Sequence, residues 1–351
     1  MNFCHLHSKL CRSWRFLTGR TVRRRYWLSL LGFLWVIHLT AACGQQATQP
    51  PRASTADCQT IEHDVGQTEI CGQPQRIAVM APHMLDILLS LDVQPVGYAE
   101  FSSQGVGEPL SHIPVLGERV TSQPMYLGLR NTPSLEALLQ LKPDLIIGES
   151  FQRQYYERFS QIAPTLLYSS NRKDEWQHSL RGVAQALERS TQAEQVIEIY
   201  QQKLAATRIA LAPIVATKPN LLLMGAFKLP QAFSANERQD FLGGLFEDLG
   251  FQLVLPSDEK SVDDWLSMEI LPQMPADIIF ALISTHLRED AVSHIQQVWQ
   301  QNPITRSLPS TQTDQVYFLD AYLFYNIRGP ITAQLIMDKA RALLAPDERT
   351  S

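Results

Sequence analysis

Apolar positions along this chain follow two periods in turn. Short uninterrupted apolar runs alternate with stretches in which apolar residues recur every three or four positions. Runs such as Arg76-Ile77-Ala78-Val79-Met80, Asp144-Leu145-Ile146-Ile147-Gly148 and Thr165 to Tyr168 read as strands buried on both faces. His83 to Leu91, Ser134 to Leu141 and Tyr155 to Ile162 read as helices packed on a sheet; Ser134 is placed to cap the second, and Lys142-Pro143 to stop it. Strand–helix alternation of this kind implies parallel strands joined by helical crossovers.

A long helical stretch follows, from about Glu175 to Leu211, and no Gly or Pro interrupts Val183 to Ala212. The alternation then restarts. Leu221 to Met224, Asp277 to Ala281 and Val316 to Leu319 read as strands, and Phe241 to Leu249, Val292 to Gln300 and Ile331 to Leu344 as helices. One segment echoes the first half without gaps. Ser134-Leu135-Glu136 through Asp144-Leu145-Ile146 aligns on Ser267-Met268-Glu269 through Asp277-Ile278-Ile279. The pattern predicts an α/β protein of two similar α/β lobes joined by a single long helix. The expected boundaries are an N-terminal lobe at 58–182, the helix at 183–212 and a C-terminal lobe at 213–351.

Residues 1–42 differ from all this. They carry seven bases (Lys9, Arg12, Arg15, Arg20, Arg23, Arg24, Arg25) and no acid, and Tyr26 to Leu39 is a short apolar run. A charged start, a run too short to span a bilayer and the small residues Ala41-Ala42 make a secretory signal. Cys43 directly after them looks like the lipidation cysteine of a bacterial lipoprotein, an uncleaved anchor being the other reading. Arg23-Arg24-Arg25-Tyr26-Trp27 also resembles a twin-arginine signal, so the export route stays open. Residues 43–57 are polar and Pro-bearing, a flexible tether. The expected location is the periplasmic face of the cytoplasmic membrane.

With the leader removed, 23 bases face 35 acids on the remaining 309 residues, a net charge of −12. An acidic body argues against nucleic-acid binding, which draws on Lys and Arg. Cys4 and Cys11 leave with the signal and Cys43 takes the lipid, so Cys58 and Cys71 remain. An exported chain with two such neighbours favours a disulfide closing a small hairpin over two free thiols. No Gly-x-Ser-x-Gly, His-Glu-x-x-His or phosphate loop announces an enzyme, and no cofactor is expected.

Four segments closely resemble the periplasmic substrate-binding lipoproteins of ABC importers for ferric siderophores. They are Arg76 to Leu91, Leu127-Gly128-Leu129-Arg130-Asn131-Thr132-Pro133-Ser134-Leu135-Glu136, Lys142 to Gly148 and Ile327-Arg328-Gly329-Pro330, and the resemblance extends over about 74–344. It implies a class III periplasmic binding protein, in which one rigid helix spans two Rossmann-like lobes, the ligand lies in the cleft between the lobes, and the lobes move little. The ligand it implies is a ferric siderophore of hydroxamate or citrate type, and the partner an ABC permease. Because the chelator already saturates the iron, the protein would supply cations and aromatic walls and no metal ligand. The fork of Arg130 suits chelate oxygens; as a loop residue it should carry little of the fold. Tyr322, Tyr325 and Arg328 should project into the cleft, with Phe227, Met80, Pro82 and His83 at the strand ends. Glu136 and Glu269 match the acids that dock such proteins on a permease, one per lobe. Cobalamin or haem remain alternatives, Tyr325 being able to serve as an axial ligand, as does a direct metal-ion binder using His83 and Asp86.

Overall fold

The computed structural model describes residues 58–101, 113, 115–169, 174–235, 240–256, 265–284 and 290–345. The signal, Cys43 and the tether lie outside these residues. The chain opens with a hairpin, β1 (Cys58–His63) and β2 (Gly66–Cys71), whose register sets Cys58 opposite Cys71. The two cysteines form a disulfide.

The N-terminal lobe contains β3 (Ile77–Val79), α1 (Pro82–Ser90), β4 (Gly97–Glu100), β5 (Met125–Leu129), β6 (Thr132–Pro133), α2 (Leu135–Leu141), β7 (Leu145–Glu149), α3 (Tyr156–Ser160) and β8 (Thr165–Tyr168). Its sheet runs β6-β5-β4-β3-β7-β8, parallel except for the short β6. Order reverses at β3, which has β4 on one side and β7 on the other. The carboxyl ends of β3 and β7 therefore flank the switch point, where open α/β sheets bind ligands.

Two helices follow: α4 (Glu175–Ala186), packed on β1, β8 and α1 of the N-terminal lobe, and α5 (Ser190–Thr217), which leads into the second lobe. The uninterrupted helix expected at 183–212 is thus displaced: it breaks at 187–189 and continues past Pro213. The break is a Schellman-type ending in which Arg189 N–H bonds Ala184 O at 2.7 Å, Glu188 N–H bonds Gln185 O at 3.1 Å, and Glu188 adopts φ 57°. Glycine usually takes that position, so its sequence signal is missing. Trp176 on α4 then packs edge-on against Tyr200 on α5 at 5.0 Å.

The C-terminal lobe holds β9 (Asn220–Lys228), β10 (Ala232–Ala235), α6 (Phe241–Asp248), β11 (Gln252–Leu253), β12 (Leu266–Ser267), β13 (Ile278–Ile283), α7 (Ala291–Gln301), α8 (Pro303–Arg306), α9 (Pro309–Gln312), β14 (Val316–Asp320) and α10 (Pro330–Leu344). Strands β11, β9, β13 and β14 pair in parallel, and β10 and β12 add an antiparallel edge. All six residues of β13 are buried, as a strand covered on both faces requires.

The echo between the halves is structural. Asp144 accepts hydrogen bonds from the backbone N–H groups of Gln75 and Arg76 at 2.8 and 2.7 Å, pinning the start of β3. Asp277 accepts from Asn220 N–H at 2.9 Å and pins the start of β9. Ser134 caps α2 through Ala137 N–H, and Ser267 caps the 3-10 turn Met268–Gln273 through Glu269 N–H. The second turn contains Pro272 and stays 3-10 where its counterpart is α-helical.

One apolar core runs through both lobes. It joins Val79, Leu85 and Leu88 through Trp176, Tyr200 and Leu211 to Leu221, Phe246, Phe280 and Ile336. Each lobe's other face has a separate core. A core shared along α5 and α10 opposes free hinging.

Candidate functional site

Charged side chains gather at the carboxyl edge of the N-terminal sheet. Arg130 sits in the β5–β6 turn. The turn needs Gly128, at φ 86°, because a side chain there would press on backbone atoms of Thr132 and Ser134 at 3.0 Å. Arg130 N–H bonds Glu100 O at 2.7 Å, and Gln152 Nε2 donates to both Arg130 O (2.8 Å) and Met80 O (3.0 Å). One buried glutamine thus ties three strand ends together; Gly148 leaves it room, since a Cβ there would fall 2.5 Å from Gln152 Oε1.

The Arg130 side chain, 17% exposed, pairs with the Glu149 carboxylate at 3.0 Å. Its guanidinium lies 4.0 Å from the centre of the Phe101 ring and 5.0 Å from that of Phe151. The other Glu149 oxygen meets His83 Nε2. Burial lowers the His83 pKa more than Glu149 raises it, so at neutral pH the imidazole is uncharged and serves Glu149 as a donor. Burial alone would raise the Glu149 pKa; contact with His83, and after it the charges of Arg130 and Arg328, turn the net direction down. Arg130 is therefore no free loop arginine. It is half of a buried ion pair, and its removal should cost stability, contrary to the expectation from its loop position.

The lobes meet at a second acid. Glu100, at the end of β4, accepts from Tyr98 Oη at 3.1 Å, from Phe101 N–H at 2.5 Å and from Tyr322 Oη across the cleft. Tyr322 opens a π-helical turn, Tyr322–Asn326, after β14. Burial, foremost, and the Glu100 charge push the phenol pKa of both tyrosines well above the ordinary value. A third contact lies deeper. Asp86, on the fully buried face of α1, accepts from Ile331 N–H (3.0 Å), Thr332 N–H (2.8 Å) and the Thr332 hydroxyl (2.5 Å) at the start of α10. Gly329 allows this approach, since a Cβ would sit 2.4 Å from the carboxylate. Burial raises the Asp86 pKa to about 6, the three donors notwithstanding.

The C-terminal edge is different. Phe227, 42% exposed, meets Trp265, 40% exposed, edge-on at 6.5 Å, and Lys228 lies 3.9 Å over the indole. Beside them is a cavity of about 160 Å³ lined by Ala226, Phe227, Ile283, Ala291 and Ile295, with Ser284 and His294 as its polar members.

The structure brings Arg130, Tyr322 and Arg328 to one junction: burial and charge couple Arg328 to His83, Glu149 and Arg130. Tyr325 is 37% exposed, with the Arg328 guanidinium 5.6 Å over its ring. Phe227 stands on the opposite edge. Met80, Pro82 and His83 are buried and support the strand ends from beneath; they present no surface to a ligand. His83 and Asp86 do not converge on a metal position, each being committed to a different partner. The cluster Cys58, Glu69 and Cys71 is taken up by the disulfide. Glu136 and Glu269 are both exposed, each in the first turn of its capped helix. Sequence reading missed Glu100, Glu149, Gln152 and Trp265. The first two end buried strands, where an acid after an apolar run is the available signal; Trp265 had none.

Residues 77–323 match the family described as periplasmic binding protein. The chain is 26% identical over 284 residues to the Fe(3+)-citrate-binding protein YfmC of Bacillus subtilis, covering 79% of this chain and 83% of that one. It is 27% identical over 290 residues to the Fe(3+) dicitrate-binding periplasmic protein FecB of Escherichia coli, covering 81% and 89%. The triscatecholate siderophore binding protein FeuA of Bacillus subtilis, solved with Ferri-Bacillibactin, superimposes with a TM-score of 0.68 at 21% identity over 83% of this chain and all of that one. At that identity the likeness carries the fold alone. Among the described residues no helix is long and apolar enough to cross a membrane. With a family match that spans most of both lobes, the chain belongs to the periplasmic binding protein family.

Proposed function

We propose that this chain is the extracytoplasmic, lipid-anchored substrate-binding component of an ABC importer, and that it captures a ferric siderophore and passes it to the membrane permease for iron uptake. The observation that carries the reading is the junction between the lobes, where Arg130 and Arg328 stand among Phe101, Phe151 and Tyr325. Cations and flat aromatic faces suit a chelate whose iron is already saturated by its own oxygens. No metal ligand and no catalytic group is required of the protein. Arg130 and Arg328 hold the chelate, the rings flank it, and Gln152 and Glu149 fix the arginine. The core shared by the lobes supports a binding protein that closes little. The exposed Glu136 and Glu269, at equivalent places of the two lobes, support docking on two permease subunits. Cys43 would carry the lipid that keeps the protein at the periplasmic face.

The test is fluorescence titration of the full chain, purified in detergent, against ferric siderophores, ferric citrate, haem and cobalamin. Saturable quenching by one or more iron(III) chelates, absent with the iron-free chelators, is expected. Saturation by haem or cobalamin alone would replace the siderophore reading by one of its rivals.

A further inference from the structure

The two arginines assigned to the ligand come from opposite lobes, and one helix lies on the path between them. Arg130 O is held by Gln152, whose amide also holds Met80 O at the end of β3. The chain then turns directly into α1, with Ala81 as its N-cap and Pro82 as its first residue. Asp86 stands about one turn into that helix and is wholly buried. Its carboxylate points across to the other lobe, where Oδ1 accepts from Ile331 N–H at 3.0 Å and Oδ2 from Thr332 N–H at 2.8 Å and the Thr332 hydroxyl. These donors are the second and third residues of α10, a helix that lacks a cap of its own. Gly329 at its N-cap has no side chain to offer, and no acid lies in its first turn. Asp86 supplies that cap from the N-terminal lobe. The fit is close, since a Cβ on Gly329 would fall 2.4 Å from the carboxylate. Apolar contacts along the shared core are non-directional and tolerate sliding; hydrogen bonds to one buried carboxylate do not. Arg328 immediately precedes Gly329, and its charge reaches Arg130 and Glu149.

We propose, on the footing of the siderophore reading above, that Asp86 is a positioning residue for the ligand: by capping α10 from the opposite lobe it registers Arg328 against Arg130, and it touches no ligand itself. Affinity then depends on a carboxylate that no chelate reaches. Gln152 braces the start of the helix that carries Asp86, so both arginines are located by one path through Met80 and α1. Asp86→Asn breaks the path. The amide oxygen can accept from one backbone N–H, but its NH2 then faces the other donor.

A double-mutant cycle on the full chain in detergent tests this, with titrations of a ferric trihydroxamate and of ferric dicitrate and with folding checked by melting. Asp86→Asn should weaken binding of whichever chelate the parent takes by about tenfold. In an Arg328→Ala background the same change should add less than about twofold, because a residue that acts through another is not additive with it. Thr332→Val, which removes one donor, should lose about threefold, and Thr332→Ser, which keeps it, should bind as the parent does. Hydrogen exchange gives a reading without ligand: the amides of Ile331 and Thr332 should exchange about tenfold faster in Asp86→Asn than in the parent. Equal losses in the two backgrounds would leave Asp86 a residue of the fold alone and overturn the proposal while the siderophore reading stands. Unchanged affinity in Asp86→Asn, or unchanged exchange at those two amides, overturns it as well. A parent that takes neither chelate removes the siderophore reading and the positioning role with it.

Discussion

The two lobes share a framework and differ at the edge where they meet. Asp144 and Asp277 do the same work at the start of a central strand, and Ser134 and Ser267 cap the turns before them. At the carboxyl ends the likeness stops. The N-terminal edge is charged, buried and locked by Gln152 and Glu149, whereas the C-terminal edge is aromatic and open, with Phe227 and Trp265 exposed. The repeated parts are those that begin strands and pack layers. The divergent parts face the ligand, one edge fixing polar direction and the other offering a surface that tolerates different shapes.

Breaking the N-terminal edge should have the largest effect. Glu149→Ala leaves Arg130 buried without its partner, and the loss of one member of such a pair costs about 3–5 kcal/mol; a large fall in melting temperature is expected. Arg130→Ala should lower the melting temperature too and weaken chelate binding about ten- to a hundredfold. An unchanged melting temperature in both variants would mean that the two edges are equally open.

The contact between the lobes should show itself in pH dependence. Asp86 has its pKa raised by burial from 3.8 to about 6. Between those values the folded state binds more protons than the unfolded, so the Asp86 contribution is fully present below the unfolded value and is lost as pH rises toward 6. The total is on the order of 3 kcal/mol. Melting curves from pH 3.5 to 7 should show this fall in the parent and not in Asp86→Asn; parallel curves would remove Asp86 as the titrating group.

On the C-terminal edge, Trp265→Ala should leave melting within the scatter of surface substitutions, about 0.5 kcal/mol. It should nonetheless weaken binding about tenfold, a value appropriate to the loss of an aromatic contact. A drop in stability without loss of affinity would reverse the contrast. The smallest effect on binding is expected from Glu136→Lys with Glu269→Lys. Affinity should stay put while import of labelled iron by cells stops; a tenfold loss of affinity would place these acids at the ligand.

The framework was legible because it rests on periodicity. The alternation of buried strands with helices, the restart after the linker and the Ser-x-Glu to Asp-Ile echo all reflect local burial, which sequence records directly. The break at 187–189 was hidden because Glu188 takes a left-handed position where glycine is usual. The hairpin disulfide followed from compartment and count, and the register of β1 on β2 agrees with it. The site was half legible. Arg130 and Tyr325 could be placed by the resemblance of their segments to the family, but their environment depends on partners far apart in the chain. Glu149 lies 66 residues from His83, and Tyr322 reaches Glu100 across 222. No local pattern reports such pairs, so His83 read as a wall of the cleft when it is a buried support.

The most direct measurement locates the iron. Crystals of the protein grown with a ferric trihydroxamate and measured at the iron absorption edge should give one strong anomalous peak between Arg130 and the Phe227–Trp265 pair, with no protein atom bound to the metal. A peak coordinated by protein side chains, or one lying outside the junction of the lobes, would contradict the account.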